Sequence, residues 1–201
     1  MSAIDLVLVA GGGSNITSLR AALGRLGVSA ELTSDAGRIR SASHVILPGV
    51  GAAASAMARL RSSGLDRVLP RLGQPVLGIC LGMQLLFESS EEEDSDCLGI
   101  LPGRVRRLPC GAGIRVPHSG WNRLHAVRTS PLLAGLPDPA YVYFVHAYAA
   151  ELGPATVARS DHGQPFSAMV SVANFHGVQF HPERSGPLGS LILRNFLGLG
   201  R

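Results

Sequence analysis

The sequence predicts an α/β fold in which a mostly parallel sheet is flanked by helices and carries an appended antiparallel segment. In the first half of the chain, short apolar runs alternate with stretches whose apolar residues recur at helical spacing. From about residue 103 onward, short β-prone runs follow one another with little helical periodicity, separated by glycine and proline. This second pattern is typical of antiparallel strands and extended loops.

The composition is that of a single globular unit. The chain has 201 residues, of which 46% are hydrophobic and 25 are glycine. A core of several strands fits this length and no stretch has the composition of a linker, so we expect residues 1–201 to form one domain. All 18 basic residues are arginine and aromatic residues make up 5%. Because the arginines are scattered and aromatic side chains are few, the sequence does not predict a nucleic-acid-binding surface.

Three cysteines, Cys80, Cys97 and Cys110, are spaced too widely to form a CxxC pair. Their number and spacing predict neither a disulfide framework nor a zinc site, and no metal or other cofactor is expected. The sequence has no run of 18 apolar residues and no basic stretch before its first apolar run. We therefore expect a reducing cytoplasm as the compartment and no contact with a membrane.

The first βα unit joins a strand at residues 4–9 to a helix that begins near Asn15, with leucines repeating at helical spacing. The connection contains Gly11, Gly12 and Gly13, which together are compatible with a phosphate cradle. Because this loop has neither the GxGxxG spacing nor a following GK[ST], a tight crossover turn is favoured.

The next strands are predicted at residues 28–32 and 45–47, followed by a helix at 52–60. Between the third strand and this helix, the PGVG stretch places a glycine on each side of Val50. Loops after parallel strands meet at one sheet edge, so the amides of Val50 and Gly51 can donate to an oxyanion if a nucleophile lies beside them. An ordinary βα turn is the alternative interpretation.

Cys80 lies between a predicted buried strand, which begins after Pro75, and a helix predicted at residues 81–87. Gly78 and Gly82 stand two positions on either side, as in the G-x-nucleophile-x-G elbow, where missing Cβ atoms relieve crowding at a sharp turn. The positive end of the helix dipole favours a thiolate at this position. A structural cysteine in a tight loop fits the motif about equally well.

A histidine and a carboxylate near the other end of the chain complete the pattern. His181 follows a short β-prone run, and Glu183 comes two residues later across a proline whose fixed φ restricts the loop. A thiolate nucleophile needs a base, and the base needs an acceptor that orients its second nitrogen. We therefore predict a triad of Cys80, His181 and Glu183, although an isolated His-Pro-Glu turn is more often a plain surface turn.

The remaining segments are less specific. Residues 88–96 hold six of the 14 acidic residues, a pattern typical of a solvated loop, although one carboxylate there is suited to an amino-acid ammonium group. Trp121, in a loop rich in glycine and proline, fits a partner interface and a core position equally well. A helix is predicted at residues 188–197. Further β-prone runs lie at residues 105, 116, 141–145, 157 and 166–172.

Two motifs, GICLGMQ at residues 78–84 and QFHPE at residues 179–183, resemble the marks of the class I (triad) glutamine amidotransferases. Within that class, four further stretches are similar to the glutaminase subunits of imidazole glycerol phosphate synthases. These are PGVG at 48–51, GILPG at 99–103, VPHSGWN at 116–122 and YFVH at 143–146. The matches follow the family's order. Ala147 departs from the family pattern, which commonly has a small polar residue at this position.

The resemblance implies a flavodoxin-like sheet and a glutaminase reaction. Cys80 would attack the carboxamide of glutamine, His181 would shuttle the proton and Glu183 would orient His181. The residues implied for the oxyanion hole are Val50, Gly51 and Leu81. The residues implied for substrate binding are Gly49, Gln84, Glu92 and His146.

The resemblance also implies a heterodimer with a (β/α)8-barrel cyclase subunit, in which a nucleotide bound to the barrel activates glutamine hydrolysis allosterically. Ammonia would cross to the barrel near Trp121, Asn122 and Tyr143, and the complex would make imidazole glycerol phosphate and an aminoimidazole carboxamide ribotide in histidine biosynthesis. A chain of 201 residues has no room for a synthase domain beside the glutaminase, which agrees with a separate partner.

Three other functions compete with this one. An amidotransferase subunit for anthranilate or pyridoxal phosphate synthesis is disfavoured by the VPHSGWN stretch. A non-catalytic partner protein of the same fold has no need for Cys80, His181 and Glu183 together. A free-standing cysteine hydrolase is the third, and glutamine turnover with and without a barrel partner would separate all of these.

Overall fold

The computed structural model describes residues 4–10, 16–111 and 113–200. The glycine loop predicted at Gly11, Gly12 and Gly13, together with Asn15, lies outside these residues.

The strands are β1 (Leu6–Val9), β2 (Ala30–Thr33), β3 (His44–Gly49), β4 (Val76–Cys80), β5 (Ser89–Ser90), β6 (Ser95–Asp96), β7 (Arg104–Arg107), β8 (His118–Ala126), β9 (Ala140–His146), β10 (Tyr148–Ala150), β11 (Thr156–Asp161), β12 (Pro165–Val172) and β13 (Phe175–Val178). The helices are α1 (Ile16–Arg25), α2 (Ala36–Ser41), α3 (Ala53–Ser62), α4 (Leu65–Val68), α5 (Leu81–Gln84) and α6 (Gly186–Leu197). Single 3₁₀ turns lie at Leu69–Arg71, Glu92–Asp94, Pro131–Leu133 and Pro182–Arg184.

Within the described residues, the main sheet has nine strands in the order β2-β1-β3-β4-β13-β12-β11-β8-β9. The five strands from β2 to β13 are parallel to one another, and β12, β11, β8 and β9 continue the sheet in antiparallel pairs. The 2-1-3-4 order followed by a further parallel strand is that of flavodoxin-like sheets. The predicted parallel core with an appended antiparallel segment is therefore observed.

The inner parallel strands β1, β3 and β4 are buried and largely apolar because both faces of the sheet are covered there, whereas the edge strand β2 has exposed residues. In β1, Leu6 and Leu8 join a core cluster that includes residues of α1 and α6, whereas Val7 and Val9 join a cluster that includes residues of α3 and α4. All four side chains are at most 2% exposed. Strands buried on two faces have the continuous hydrophobic runs that the sequence contains.

A second sheet of four short strands, in the order β10-β7-β5-β6, lies beside the main one in the described part of the chain. It contains the acidic segment that was predicted as a solvated loop. Glu91 accepts hydrogen bonds from Arg106 and from the backbone of Arg107, and Asp94 pairs with Arg104. The acidic run is therefore held against the arginines of β7.

Two predictions about secondary structure are wrong. The helix predicted at residues 81–87 ends at Gln84, because the backbone amides of residues 98–101 bind the carbonyls of residues 85–87 and end the helical hydrogen bonding. The β-prone run at Val116 is not in a strand: Pro117 follows it without an N–H to donate, and β8 begins at His118. Helices α2 and α4 were not predicted.

The longest described helix, α6, has 12 residues. None of the described helices is both long and apolar enough to cross a bilayer.

Candidate active site

The site lies where three neighbouring parallel strands end. In the register of the sheet, Gly49 at the end of β3 is opposite Cys80 at the end of β4, and Val178 at the end of β13 is opposite Ile79. The loops after these strands therefore emerge at one edge of the sheet, where α/β proteins bind ligands. This topology brings Cys80 to the same edge as the PGVG segment and the loop that carries His181.

Cys80 has the strained backbone of a sharp strand-to-helix turn. Its φ is 54° and its ψ is −112°, outside the regions that residues with a side chain prefer. Such a conformation costs about 1–3 kcal/mol and needs support from its surroundings. The flanking glycines permit that support: a Cβ at Gly82 would lie 1.8 Å from the carbonyl oxygen of Leu47, and one at Gly78 would lie 2.6 Å from that of Gly82. The two glycines therefore serve close packing of the turn.

His181 and Glu183 form a buried pair. The Nδ1 atom of His181 lies 2.8 Å from Oε1 of Glu183, and their side chains are 5% and 2% exposed. Burial by itself lowers the pKa of His181, but its interactions with Cys80 and Glu183 outweigh burial and raise this pKa to about 10. Because Nδ1 is engaged by the carboxylate, the buried Nε2, which has no hydrogen-bond partner of good geometry, is the nitrogen left to interact with Cys80. A protonated imidazole at this position can stabilise a thiolate.

The histidine loop is fastened to β9. The backbone N–H of His181 donates to the carbonyl of Tyr143 at 2.9 Å, and the Ser185 hydroxyl donates to the carbonyl of His181 at 2.7 Å. The same hydroxyl oxygen accepts from the N–H of Tyr143 at 3.0 Å. Ser185, which sequence reasoning missed, thus fixes His181 relative to the antiparallel segment.

Cys80 and His181 open on a cleft of about 390 Å³. The cleft has both apolar and polar walls, with Glu92 as its carboxylate, and its volume can hold an amino acid. Its lining residues are Val50, Gly51, Cys80, Leu81, Gln84, Glu92, Val145, His146, Ala147, Tyr148, His181 and Arg184.

Comparison with known proteins identifies the family. A profile of the glutamine amidotransferase class-I family matches residues 7–198. The chain belongs to the class I glutamine amidotransferases. This confirms the resemblance found in the sequence, the predicted fold class and the predicted glutamine amidotransferase activity.

Individual relatives of this amidotransferase are similar over nearly all of its length. It is 58% identical to the imidazole glycerol phosphate synthase subunit HisH of Xanthomonas campestris pv. campestris (strain 8004), over 96% of each chain. It is 57% identical to the HisH subunit of Xylella fastidiosa (strain Temecula1), again over 96% of each. Among solved structures, a glutamine amidotransferase from Thermotoga maritima superposes with a TM-score of 0.68 at 18% identity, covering 98% of this chain and 83% of that one. That last likeness concerns the fold alone.

Of the residues predicted to bind substrate, some line the cleft and one does not. Glu92 lies at the cleft wall, where Oε2 accepts from the N–H of Ala53 at 2.9 Å. Burial raises the pKa of Glu92; the hydrogen bond from Ala53 opposes this shift and the charge of Glu93 adds to it. A partly desolvated carboxylate gains from a cationic ligand. Gly49, by contrast, is buried and does not line the cleft: a Cβ there would lie 2.7 Å from the amide nitrogen of Gly82.

His146 lines the cleft, but both of its ring nitrogens form hydrogen bonds to other residues of the protein. Its Nδ1 donates to the carbonyl of Tyr148 at 2.8 Å, so the protonless Nε2 accepts from Nδ1 of His118 at 3.0 Å. Burial lowers the pKa of His146 to about 3 and that of His118 to about 4. The charge of His162 also lowers the pKa of His118. The ring of His146 therefore shapes the wall and does not offer a base to a ligand.

These shifts predict a loss of stability in acid. The unfolded chain binds protons at its histidines near pH 6.5, whereas folded His118 and His146 stay neutral down to about pH 4 and 3. The free energy of unfolding should therefore fall as the pH drops from 6.5 towards 4. Urea unfolding at several pH values measures this slope, and the His118→Asn variant should have a shallower one. An equal slope in that variant would contradict the assignment.

The residues predicted at the partner interface separate into exposed and inward-facing ones. Trp121 is 57% exposed and packs edge-on to Tyr143, with ring centroids 6.2 Å apart. Asn122 points inward, where Nδ2 donates to the carbonyl of Asp161 at 2.8 Å and lies 3.2 Å from Nε2 of His118. The exposed position of Trp121 excludes the core interpretation that the sequence left open.

Two further residues at the site were missed by sequence reasoning. Arg184 lines the cleft with its guanidinium carbon 4.3 Å from the centre of the Tyr143 ring. Gln179 is fully buried beside Cys80. Both residues lie in the QFHPER run at residues 179–184, and their closeness to His181 in sequence was the signal that could have found them. In the described part of the chain, no group of three His, Cys, Asp or Glu side chains is arranged to hold a metal ion.

Proposed function

We propose that this chain is the glutaminase subunit of an imidazole glycerol phosphate synthase. The observation that carries the proposal is the meeting, in one small cleft, of the strained Cys80 elbow and the buried His181–Glu183 pair. The naming of its relatives as HisH subunits of that synthase supports the choice of pathway. Glutamine is the substrate, hydrolysed to glutamate and ammonia.

In the proposed reaction, the Cys80 sulfur attacks the carboxamide carbon of glutamine. The amides of Leu81 and of the Val50–Gly51 segment, all at the cleft wall, stabilise the oxyanion, and Glu92 holds the substrate's ammonium group. Protonated His181 gives its proton to the leaving nitrogen, so the C–N bond breaks and ammonia leaves.

The second half of the reaction hydrolyses the resulting thioester. Neutral His181 takes a proton from water, the hydroxide adds to the thioester carbon, and the C–S bond breaks. Glutamate leaves and the thiolate–imidazolium pair is restored. Glu183 does not react; it fixes the tautomer and orientation of His181.

The partner is a cyclase subunit, and the proposed contact is an aromatic face formed by Trp121, Tyr141, Tyr143 and Val145. Trp121 on β8 pairs with Tyr143 on β9, and Tyr141 and Val145 alternate with Tyr143 on the same side of β9, away from the core. Trp121, Tyr141 and Val145 are 57%, 47% and 37% exposed. Exposed aromatic clusters of this kind are typical of interfaces. Because Val145 also lines the cleft, ammonia leaving Cys80 is released beside this face.

Two broader proposals follow. Residues 1–201 act as one domain, because both core clusters pack on the same nine-stranded sheet. The protein works in a reducing cytoplasm, which agrees with the unpaired state of Cys80, Cys97 and Cys110.

Steady-state kinetics with and without a cyclase subunit tests the function. Gly51 has a φ of +94° and Val50 is flanked by glycines, so the peptide that donates to the oxyanion can reorient at little steric cost. One missing oxyanion donor lowers the rate about 10²- to 10³-fold. We therefore expect slow hydrolysis by the chain alone, and a rise of about that size in kcat with the cyclase and its nucleotide.

Each other result of these kinetics has a definite meaning. Fast hydrolysis that does not depend on the partner would show a preformed oxyanion hole and would favour a free-standing hydrolase. No hydrolysis in any condition would overturn the glutaminase function. Activation by a partner from anthranilate or pyridoxal phosphate synthesis, and not by the cyclase, would reassign the pathway.

A further inference from the structure

Gln179 contacts the sulfur of Cys80 directly. It lies just after β13, two residues before His181, and its side chain is 0% exposed. Its Nε2 atom is 3.7 Å from Sγ of Cys80, a distance suited to an N–H···S hydrogen bond. We infer that Gln179 is a further catalytic residue, whose amide N–H stabilises the thiolate of Cys80. The inference rests on the proposed role of Cys80 as the nucleophile.

The orientation of the Gln179 amide decides whether it helps or opposes a thiolate, and a backbone carbonyl settles it. The carbonyl oxygen of Tyr148 can only accept, so the atom of Gln84 that lies 2.8 Å from it must be the nitrogen, Nε2. That nitrogen also lies 3.0 Å from Gln179, which must therefore present its oxygen, Oε1, to Gln84. The nitrogen of Gln179 is left to face the sulfur.

The reverse orientation is costly at this site. It would set two donors against each other at Gln84 and would place a carbonyl oxygen against a negative sulfur. Gln84 and Gln179 are 4% and 0% exposed, so solvent does not compensate a misplaced amide. The thiol proton has a separate acceptor, the carbonyl of Val145 at 3.9 Å from Sγ, so the Gln179 N–H is an added donor to the sulfur.

The carbonyl of Tyr148 that sets these orientations is itself held in place. Nδ1 of His146 donates to it at 2.8 Å, His118 donates to Nε2 of His146 at 3.0 Å, and Nδ2 of Asn122 lies 3.2 Å from the remaining nitrogen of His118. A continuous set of hydrogen bonds thus runs from β8 to the nucleophile. His118 and His146 are positioning residues in this set, because they act on Cys80 only through Tyr148, Gln84 and Gln179.

Alkylation of Cys80 by iodoacetamide tests the inference without using glutamine turnover. The thiolate forms an S–C bond and iodide leaves, so the rate reports the thiolate fraction; peptide mass spectrometry follows Cys80 separately from Cys97 and Cys110. In Gln179→Met, we expect alkylation at pH 7 to slow by about tenfold, because a donor to a charged group is lost. At pH 10, above the ordinary pKa of a thiol, the difference should shrink.

Two further variants make the comparison specific. Gln179→Leu also removes the amide N–H and adds no titratable group, so alkylation at pH 7 should slow by a similar factor. This variant also decides the question if Gln179→Met does not fold. The matched control is Gln74→Met, which removes an amide that donates to the carbonyl of Ile39 at 2.8 Å, away from the cleft, and should leave Cys80 alkylation unchanged.

Wild-type rates at pH 7 in both Gln179 variants would overturn the inference. A loss of equal size at pH 7 and pH 10 would also overturn it, because it would indicate a purely structural effect. Failure of the proposed function is a separate result: a wild-type chain that never hydrolyses glutamine refutes the glutaminase reaction, whereas the alkylation comparison still measures the hydrogen bond to sulfur.

Discussion

The Cys80→Ala variant should lose glutamine hydrolysis by about 10⁶-fold in kcat, the scale seen when the nucleophile of a triad is removed. The reason is specific to the elbow: Cys80 supplies the only cysteine sulfur at the cleft wall within the described residues. Alanine removes little more than that sulfur atom. The fold and the binding of glutamine should therefore persist while the covalent step is lost.

The measurement compares two sources of ammonia in the complex with the cyclase. Cys80→Ala should abolish synthesis from glutamine but leave synthesis from added ammonium salts, because the cyclase reaction does not use the thiol. Cys97→Ser and Cys110→Ser are the matched controls and should stay active, since neither cysteine lines the cleft. Normal glutamine hydrolysis by Cys80→Ala would refute the assignment of the nucleophile.

The second large effect is expected at the base and its orienting partner, with a difference between them. His181→Ala should lower kcat by about 10⁶-fold and Glu183→Ala by about 10⁴-fold, following the asymmetry measured in serine-protease triads. His181 moves the proton, whereas Glu183 acts only by holding Nδ1 of His181 at 2.8 Å. Loss of the carboxylate still leaves an imidazole beside the sulfur.

Initial-rate kinetics on both variants, with His125→Ala as a control outside the cleft lining, measures this ordering. Small and equal losses in His181→Ala and Glu183→Ala would mean that Cys80 works with a different base. His146 was the next candidate from the sequence. Its ring is poorly suited, because Nδ1 donates to Tyr148 and Nε2 accepts from His118.

The parts of the fold that were predictable are those in which local sequence and burial agree. The runs of β1, β3 and β4 are apolar because parallel strands are covered on both faces, so their composition alone indicates their position. The last helix, predicted at residues 188–197, is observed as α6 (Gly186–Leu197). In each case the apolar pattern is complete within the element itself, whichever distant element it packs against.

The early end of α5 could not be predicted, because it depends on a distant segment. Residues 81–87 have good helical propensity, yet their last carbonyls are bound by the amides of residues 98–101, which lie a dozen or more positions away in sequence. Val116 failed in a similar way, since β-propensity does not decide which residues find a partner strand. Long-range hydrogen bonding outweighed local preference at both places.

The sequence by itself determined the residue types of the site and their order. The chemistry requires a cysteine between two glycines and a histidine two residues before a glutamate, and both patterns can be recognised in the sequence alone. Only the tertiary structure decided which way the side chains face. It turned Trp121 outward and Asn122 inward, used Gly49 for packing against Gly82, and aimed the Gln179 amide at the Cys80 sulfur. Such directions depend on the register of paired strands and on buried donors meeting acceptors, which join residues as far apart as Cys80 and Gln179.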